Sequence, residues 1–304
     1  MRCLRRCMYG GCGSTTGIRN AVEHCDKNKK NMEQNERLDY LVKRFLDDSG
    51  KYRNMEVADD PREKRTVLRS LMNIRMPGLL DEESLRIQDE YLQARIAENG
   101  IVDTASLPTM ADLGSAAVQA DHIVIWQGDI TRLACDAIVN AANSQMLGCF
   151  VPMHTCIDNC IHTFAGIQLR AACDEQMRAL RAKYGQDYEQ PTAVPMLTDG
   201  YNLPAKHVIH IVGPIVQGPL TSCHEEALAD CYRNTLDMCL ENGLRSVAFC
   251  CISTGVFHFP NKRAAMIAVK TVQEWLEMHP GRVDRVIFNV FKEEDKEYYE
   301  QQFV

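Results

Sequence analysis

Residues 148–162 read GCFVPMHTCIDNCIH, placing three cysteines and two histidines within fifteen residues. Thiolate sulfur and imidazole nitrogen are good zinc ligands. Cys149, His154 and Cys156 follow one another as C-x4-H-x-C, and Pro152 stiffens the short loop between the first two. A structural zinc takes four protein ligands, whereas a catalytic one typically keeps three and an open position. The C-x4-H-x-C spacing by itself matches no four-ligand finger. Cys160 and His162 stand as the candidates for a fourth ligand, and Cys160 would share a helical face with Cys156. His162 falls four after Asp158, a spacing that pairs side chains on one helix face. Read alone, the stretch leaves a metal site and a set of buried thiols both open, and buried thiols are the commoner outcome. A redox pair fits less well, since the stretch holds no C-x-x-C.

Such a cluster needs elements to position it. From about residue 120 the pattern is of short β-branched runs alternating with helical ones. The strand candidates are 122–126, 137–140, 193–197, 207–212, 246–252 and 285–291, with helices expected over about 157–184, 222–242 and 261–278. Alternation of this kind implies crossover connections and a mainly parallel or mixed sheet covered by helices. Ligands of such sheets bind beyond the strand C-termini. Beyond the first run stand Gly128, which permits a tight turn, and the carboxylate of Asp129, which could equally cap a turn. Beyond the second come Asn140 and Asn143 separated by two alanines, amides able to bond hydroxyls. Beyond the fifth comes STGVFHFP, small residues ahead of a helix whose backbone N–H groups could cradle an anion. His207 and His210 share a strand face, and satisfied strand histidines are the better reading for both.

Residues 35–105 are patterned differently. Leu38, Leu41, Val42 and Phe45 recur at helical spacing, as do Val67, Leu71 and Ile74 behind the Asp60-Pro61 start signal. A third helix is expected over 81–100, with acids in its first turn and Gly100 as its cap. A net charge of −7 argues against nucleic acid as a partner. No apolar run approaches the roughly 20 residues that span a bilayer. Many of the fourteen cysteines sit in apolar runs, which favours a reducing, cytoplasmic setting over a disulfide framework. Residues 1–33 are expected to form a disordered tail, 34–115 a helical extension and 116–304 the main domain.

The three loops together are more specific than any one. QGDIT, VNAAN and STGVF resemble the macrodomain family, whose members bind ADP-ribose, and the resemblance covers about residues 120–300. It implies a three-layer α/β/α macrodomain with a mixed central sheet behind a helical N-terminal extension. Asp129, with Ile130 beside it, would meet the adenine end. Asn140 and Asn143 would address the distal ribose, and Ser253, Thr254, Gly255, Val256 and Phe257 would hold the diphosphate. The GCF…H-x-C string resembles the zinc-dependent branch of that family, which implies Zn2+ on Cys149, His154 and Cys156 beside the distal ribose. The implied activity is hydrolysis of mono-ADP-ribose from modified protein side chains by a monomer, with Asn143 and Asp158 as catalytic candidates. A non-catalytic ADP-ribose reader and an O-acetyl-ADP-ribose deacetylase are the alternatives.

Overall fold

Two acidic side chains start two of the first three helices. The computed structural model describes residues 32–304, so the expected tail lies outside the described residues except for Met32 and Glu33. Helix α1 (Gln34–Ser49) is followed by α2 (Pro61–Ile74) and α3 (Glu82–Asn99). Asp60 accepts the Glu63 N–H with Pro61 at the first helical position, and Asp81 accepts the Ser84 N–H at 2.9 Å. Gly100, at φ +83°, ends α3. Leu38, Leu41, Val42 and Phe45 are all buried as their spacing requires. On α2 the burial falls on Leu68, Leu71, Met72 and also Asn73, while Val67 and Ile74 are only partly covered. The reason is that α2 meets two neighbours, the extension's own core and the larger domain. That smaller core, with Ile87, Tyr91 and Leu92, also takes in Ile167 of the larger domain.

The larger domain is built on a six-stranded sheet. In chain order its strands are β2 (Ile123–Gln127), β4 (Ala137–Ala142), β5 (Met196–Asp199), β6 (His207–Val212), β7 (Ser246–Phe249) and β8 (Arg285–Val290). Their spatial order is β2-β8-β7-β4-β6-β5, parallel throughout except for β5 at one edge. Strands buried on both faces read as continuous apolar runs, as β4 and β8 do. Helices α4 (Ile157–Ala165) and α5 (Ile167–Tyr184) link β4 to β5. Helix α6 (Ser222–Glu241) links β6 to β7, and α7 (Asn261–Met278) links β7 to β8. The β6–β7 and β7–β8 crossovers run opposite to the connection between the parallel strands β4 and β6, which passes through α4, α5 and β5. Right-handed connection therefore puts α6 and α7 on one face and α4 and α5 on the other, which makes three layers. Helices α2 and α3 pack against α4, so the extension lies on that second side.

Six expected strands are present, with shifted ends. The 193–197 run starts as strand only at Met196, because Ala193 sits at φ +62° and Pro195 has no N–H to give a ladder. A two-residue pair, β1 (Val102–Asp103) with β3 (Leu133–Ala134), and a last helix α8 (Glu293–Glu300) were not legible. Two residues carry no periodicity, and α8 is almost wholly polar. Residues 102–115, counted with the extension from sequence, pack on the larger core through Val102, Leu107 and Met110.

The expected single helix over 157–184 is two helices. Gly166 breaks it at φ +95°, ψ 174°, a conformation open essentially to glycine alone. The break is stitched from outside: Gln88 of α3 accepts the Ile167 N–H at 3.3 Å, and Asn202 donates to the Ala165 carbonyl at 3.0 Å. A Cβ at Gly166 would stand 2.7 Å from Gln168 Oε1 and 2.8 Å from Gln88 Nε2. Gly166→Ala is therefore expected to destabilise the fold by about 1–3 kcal/mol, read as a lower urea midpoint at unchanged slope. A midpoint equal to that of the native sequence would show the break to be unstrained.

Candidate active site

Because β2, β4 and β7 are parallel, the three loops singled out in the sequence leave the same edge of the sheet. Beyond β2, Asp129 starts a short 3-10 turn. Its Oδ1 accepts the Thr131 N–H at 3.0 Å and the Thr131 hydroxyl at 2.7 Å. The carboxylate is half-buried, and Ile130, 1% exposed, can meet a ligand only through its backbone. Asn289 of β8 pins this loop by donating to the Gly128 carbonyl at 2.9 Å.

Beyond β7, Ser253 sits at φ +65°, and its buried Oγ has no hydrogen-bond partner. Gly213, at the end of β6, lets it fit there, since a Cβ would fall 2.1 Å from that oxygen. Phe259 is buried as the loop's anchor, its N–H on the Ser253 carbonyl at 3.0 Å. Phe257 is half-buried, its carbonyl taken by the Val216 N–H, and Gly255 and Val256 are exposed.

Beyond β4 the two asparagines part company. Asn143 is half-buried at the loop, its amide on the Gly148 carbonyl at 3.2 Å and its Oδ1 accepting the Gln145 N–H. Asn140 is wholly inside. It donates to Asp158 Oδ1 at 2.8 Å and to His210 Nδ1 at 3.0 Å. The expectation that Asn140 meets a ligand directly therefore changes. It is fully buried and meets Asp158 and His210 instead.

The clip follows at once. Cys149, His154 and Cys156 are each half-buried, and their donor atoms lie within 4.8 Å of one another. Cys149 Sγ stands 3.5 Å from His154 Nδ1, close to the about 3.5 Å that a tetrahedral zinc would set between a thiolate and an imidazole. Donor types, spacing and partial exposure thus fit zinc. Burial pushes the Cys156 thiol up to about 12, with the Asn159 N–H working against it and Cys149 reinforcing it. Cys160 and His162 stand outside this set. Cys160 Sγ instead meets Arg69 of α2 at 3.7 Å.

A family model described as Macro domain matches residues 139–268. A protein-ADP-ribose hydrolase of Treponema medium is 46% identical over 268 residues, covering 88% of this chain and 98% of that one. The chain belongs to the macrodomain family. A Staphylococcus aureus protein-ADP-ribose hydrolase is 42% identical to the macrodomain over 236 residues, 77% of this chain and 83% of its own. The crystal structure of a Trypanosoma brucei macrodomain in complex with ADP-ribose superposes with a TM-score of 0.58. It is 29% identical and covers 80% of this chain and 96% of that one.

Beneath the clip the macrodomain carries a polar chain that sequence spacing does not show. Asp158 is 5% exposed, and burial pushes it up to about 6 against the Asn140 amide and the Arg170 guanidinium. His162 Nε2 is 3.6 Å from Asp158 Oδ1, and neither ring nitrogen of His162 finds a hydrogen bond. His162, Cys173 and His210 also converge within 4.8 Å, but all three are buried. His210 spends Nδ1 on Asn140 and Nε2 on the Thr198 hydroxyl at 3.0 Å. It is the satisfied histidine expected from its strand. Accepting at Nδ1 while Nε2 donates requires the neutral ring, and burial lowers His210 to about 3.

This neutral ring sets an acid limb of stability. The unfolded chain protonates the residue near pH 6.5, the folded one only near 3. Its contribution is intact above about pH 6.5 and falls below it by about 1.4 kcal/mol per pH unit. Asp158, raised to about 6, works in the opposite sense between 6 and 3.8. The comparison must therefore isolate the histidine. The stability advantage of the native sequence over His210→Asn is expected to shrink on acidification from pH 6.5 to 4.5, in urea titrations. An advantage constant with pH would mean that His210 is not held neutral.

Proposed function

We propose that this macrodomain is a protein-ADP-ribose hydrolase that cleaves the bond joining ADP-ribose to a protein side chain and releases ADP-ribose. One observation carries the reading: three zinc-type donors converge at the edge where the three loops gather, six to thirteen residues past Asn143. The names of the Treponema medium and Staphylococcus aureus relatives support it, as does the ADP-ribose in the Trypanosoma brucei structure. A reader of ADP-ribose would need the loops but no such donor set.

Each residue's part follows from its place. Asp129 and the backbone of Ile130 would take the adenine end, and Ser253, Thr254, Gly255, Val256 and Phe257 the diphosphate. Anion binding there would rest on backbone N–H groups of this exposed loop, since the chain's charge is negative. Asn143 would hold the distal ribose with the bond to be broken exposed, and positioning alone can remove several kcal/mol of barrier. Asp158, buried behind the clip and held by Asn140, would orient the clip helix and take up a proton when one is released. Cys149, His154 and Cys156 would hold Zn2+. When bound, it supplies a Lewis acid with an open position for a ribose hydroxyl or water. We assign mono-ADP-ribosylated proteins as substrates, an acidic-residue ester as the linkage, and a monomer acting in the cytoplasm. All ten cysteines among the described residues are free thiols, which suits a reducing compartment. No described helix is long and apolar enough to cross a membrane.

The test pairs two substitutions at one position. Cys156 Sγ also accepts the Asn159 N–H at the start of α4, so Cys156→Ala removes a helix cap as well as a ligand. Cys156→Ser restores an acceptor for the cap without the thiolate. Both variants are expected to lose zinc and to release ADP-ribose about 100-fold more slowly or worse, an effect of roughly 2.7 kcal/mol. Both should keep most of the affinity for ADP-ribose by calorimetry. Release at the native rate by chelator-treated, zinc-free protein would end the metal reading. Turnover of O-acetyl-ADP-ribose in preference to a modified protein would favour the deacetylase instead.

A further inference from the structure

The clip is a loop, held partly from within and partly from outside. Met153 sits at φ +57°, an uncommon conformation for a residue with a side chain, and one internal bond runs from the His154 N–H to the Val151 carbonyl. Further anchors come from the Asn159 amide, which donates to the Cys149 and Val151 carbonyls, and from helix α2, eighty to ninety residues away in sequence. Arg69 Nη2 donates to the His154 carbonyl at 2.9 Å and to Asn159 Oδ1 at 3.0 Å. One turn further along α2, Asn73 Oδ1 accepts the Met153 N–H at 3.1 Å, and its amide donates to Thr163 Oγ1 at 2.9 Å. The Met153 N–H and the His154 carbonyl, ahead of and behind the His154 Cα, are thus tied to the extension. Arg170 closes the circuit. It donates to the Met72 and Asn73 carbonyls at the end of α2, and its guanidinium lies 4.3 Å from the Phe150 ring of the clip.

We propose that helix α2 is the clamp that presets the clip for its metal, with Arg69 and Asn73 as positioning residues. The proposal rests on the zinc reading given above. Its physical content is that an unclamped loop would have to be ordered when the ion binds, at a cost in conformational entropy. Held by α2, the loop presents Cys149, His154 and Cys156 in place beforehand. The helical extension, which carries no donor of its own in this set, then governs how tightly the site keeps zinc. Residues in contact with a metal's ligands typically change affinity by about 10- to 100-fold when removed.

The experiment is chelator competition for zinc on the full chain. The proteins compared are the native sequence, Arg69→Ala, Arg69→Lys, Asn73→Ala, Cys156→Ser and Leu41→Ala, with melting temperatures of the zinc-free forms alongside. Leu41 is fully buried in the extension core, so its truncation loosens the extension without touching the clip. Arg69→Ala and Asn73→Ala are expected to bind zinc about 10-fold more weakly or worse. Arg69→Lys, which keeps the charge but not the fork, should lie between Arg69→Ala and the native sequence. Leu41→Ala should lose melting temperature but retain zinc affinity within a few-fold. If native protein and Cys156→Ser bind zinc alike, the zinc reading itself fails and this proposal with it. If Cys156→Ser loses zinc while Arg69→Ala and Asn73→Ala hold it as tightly as the native chain, the clamp alone is overturned. Equal zinc loss in Leu41→Ala and Arg69→Ala at equal loss of melting temperature would likewise overturn it, by reducing the effect to general stability.

Discussion

Asn159 is wholly buried, and the way its amide is satisfied ties the clip region together. Its NH2 donates to the carbonyls of Cys149 and Val151, its oxygen accepts from Arg69, and its backbone N–H reaches Cys156 Sγ. One residue therefore holds the first clip residue, the turn after it and the last, and hands the assembly to the extension. A buried amide left without partners costs roughly 1–3 kcal/mol per group, so the loop is driven to the shape that satisfies it. The clip's geometry follows from this constraint, and the convergence of its three donors follows from the geometry.

A second polar layer lies beneath. Thr198, His210, Asn140 and Asp158 form a chain of hydrogen bonds from the edge strand β5 through β6 and β4 to the first turn of α4. In a low-dielectric interior such a chain fixes orientation, because any rotation strands a donor or acceptor. It holds α4 in register with the sheet and keeps Asp158 in place behind the clip. The extension supplies the opposite grip through Arg69, Asn73, Gln88 and the carbonyls that Arg170 takes. Helix α4 is thus held from both sides by polar contacts, with its apolar residues filling the space between.

Much of this was legible from residue types and order. The alternation of β-branched and helical runs carries the three-layer α/β arrangement, because period and composition report which faces are buried. The loops QGDIT, VNAAN and STGVF mark one sheet edge, because parallel strands must end on the same side. Asp60-Pro61 and Asp81 mark helix starts because an orphan N–H there needs a nearby acceptor. Other features left no such trace. Asn140 and Asn143 look equivalent in sequence, yet one lies inside the sheet and the other at the loop, since only the strand's end decides which is covered. The 157–184 helix reads as continuous because a single glycine is tolerated in a helical pattern, and its φ is set by packing against Gln88 and Asn202.

Local chemistry decided the elements, the loop edge and the three soft donors of the clip, because each is written in neighbouring residues. Tertiary structure decided which donors meet. It brought Cys149, His154 and Cys156 together and turned Cys160 toward Arg69. It also gathered His162, Cys173 and His210 into the core, and it put α2 against the clip. Arg69 and Asn73 stand one helical turn apart and look like ordinary polar positions of a surface helix. Their partners lie eighty to ninety residues further on. Contacts of that range depend on how two cores dock, and nothing in either segment's own pattern encodes it.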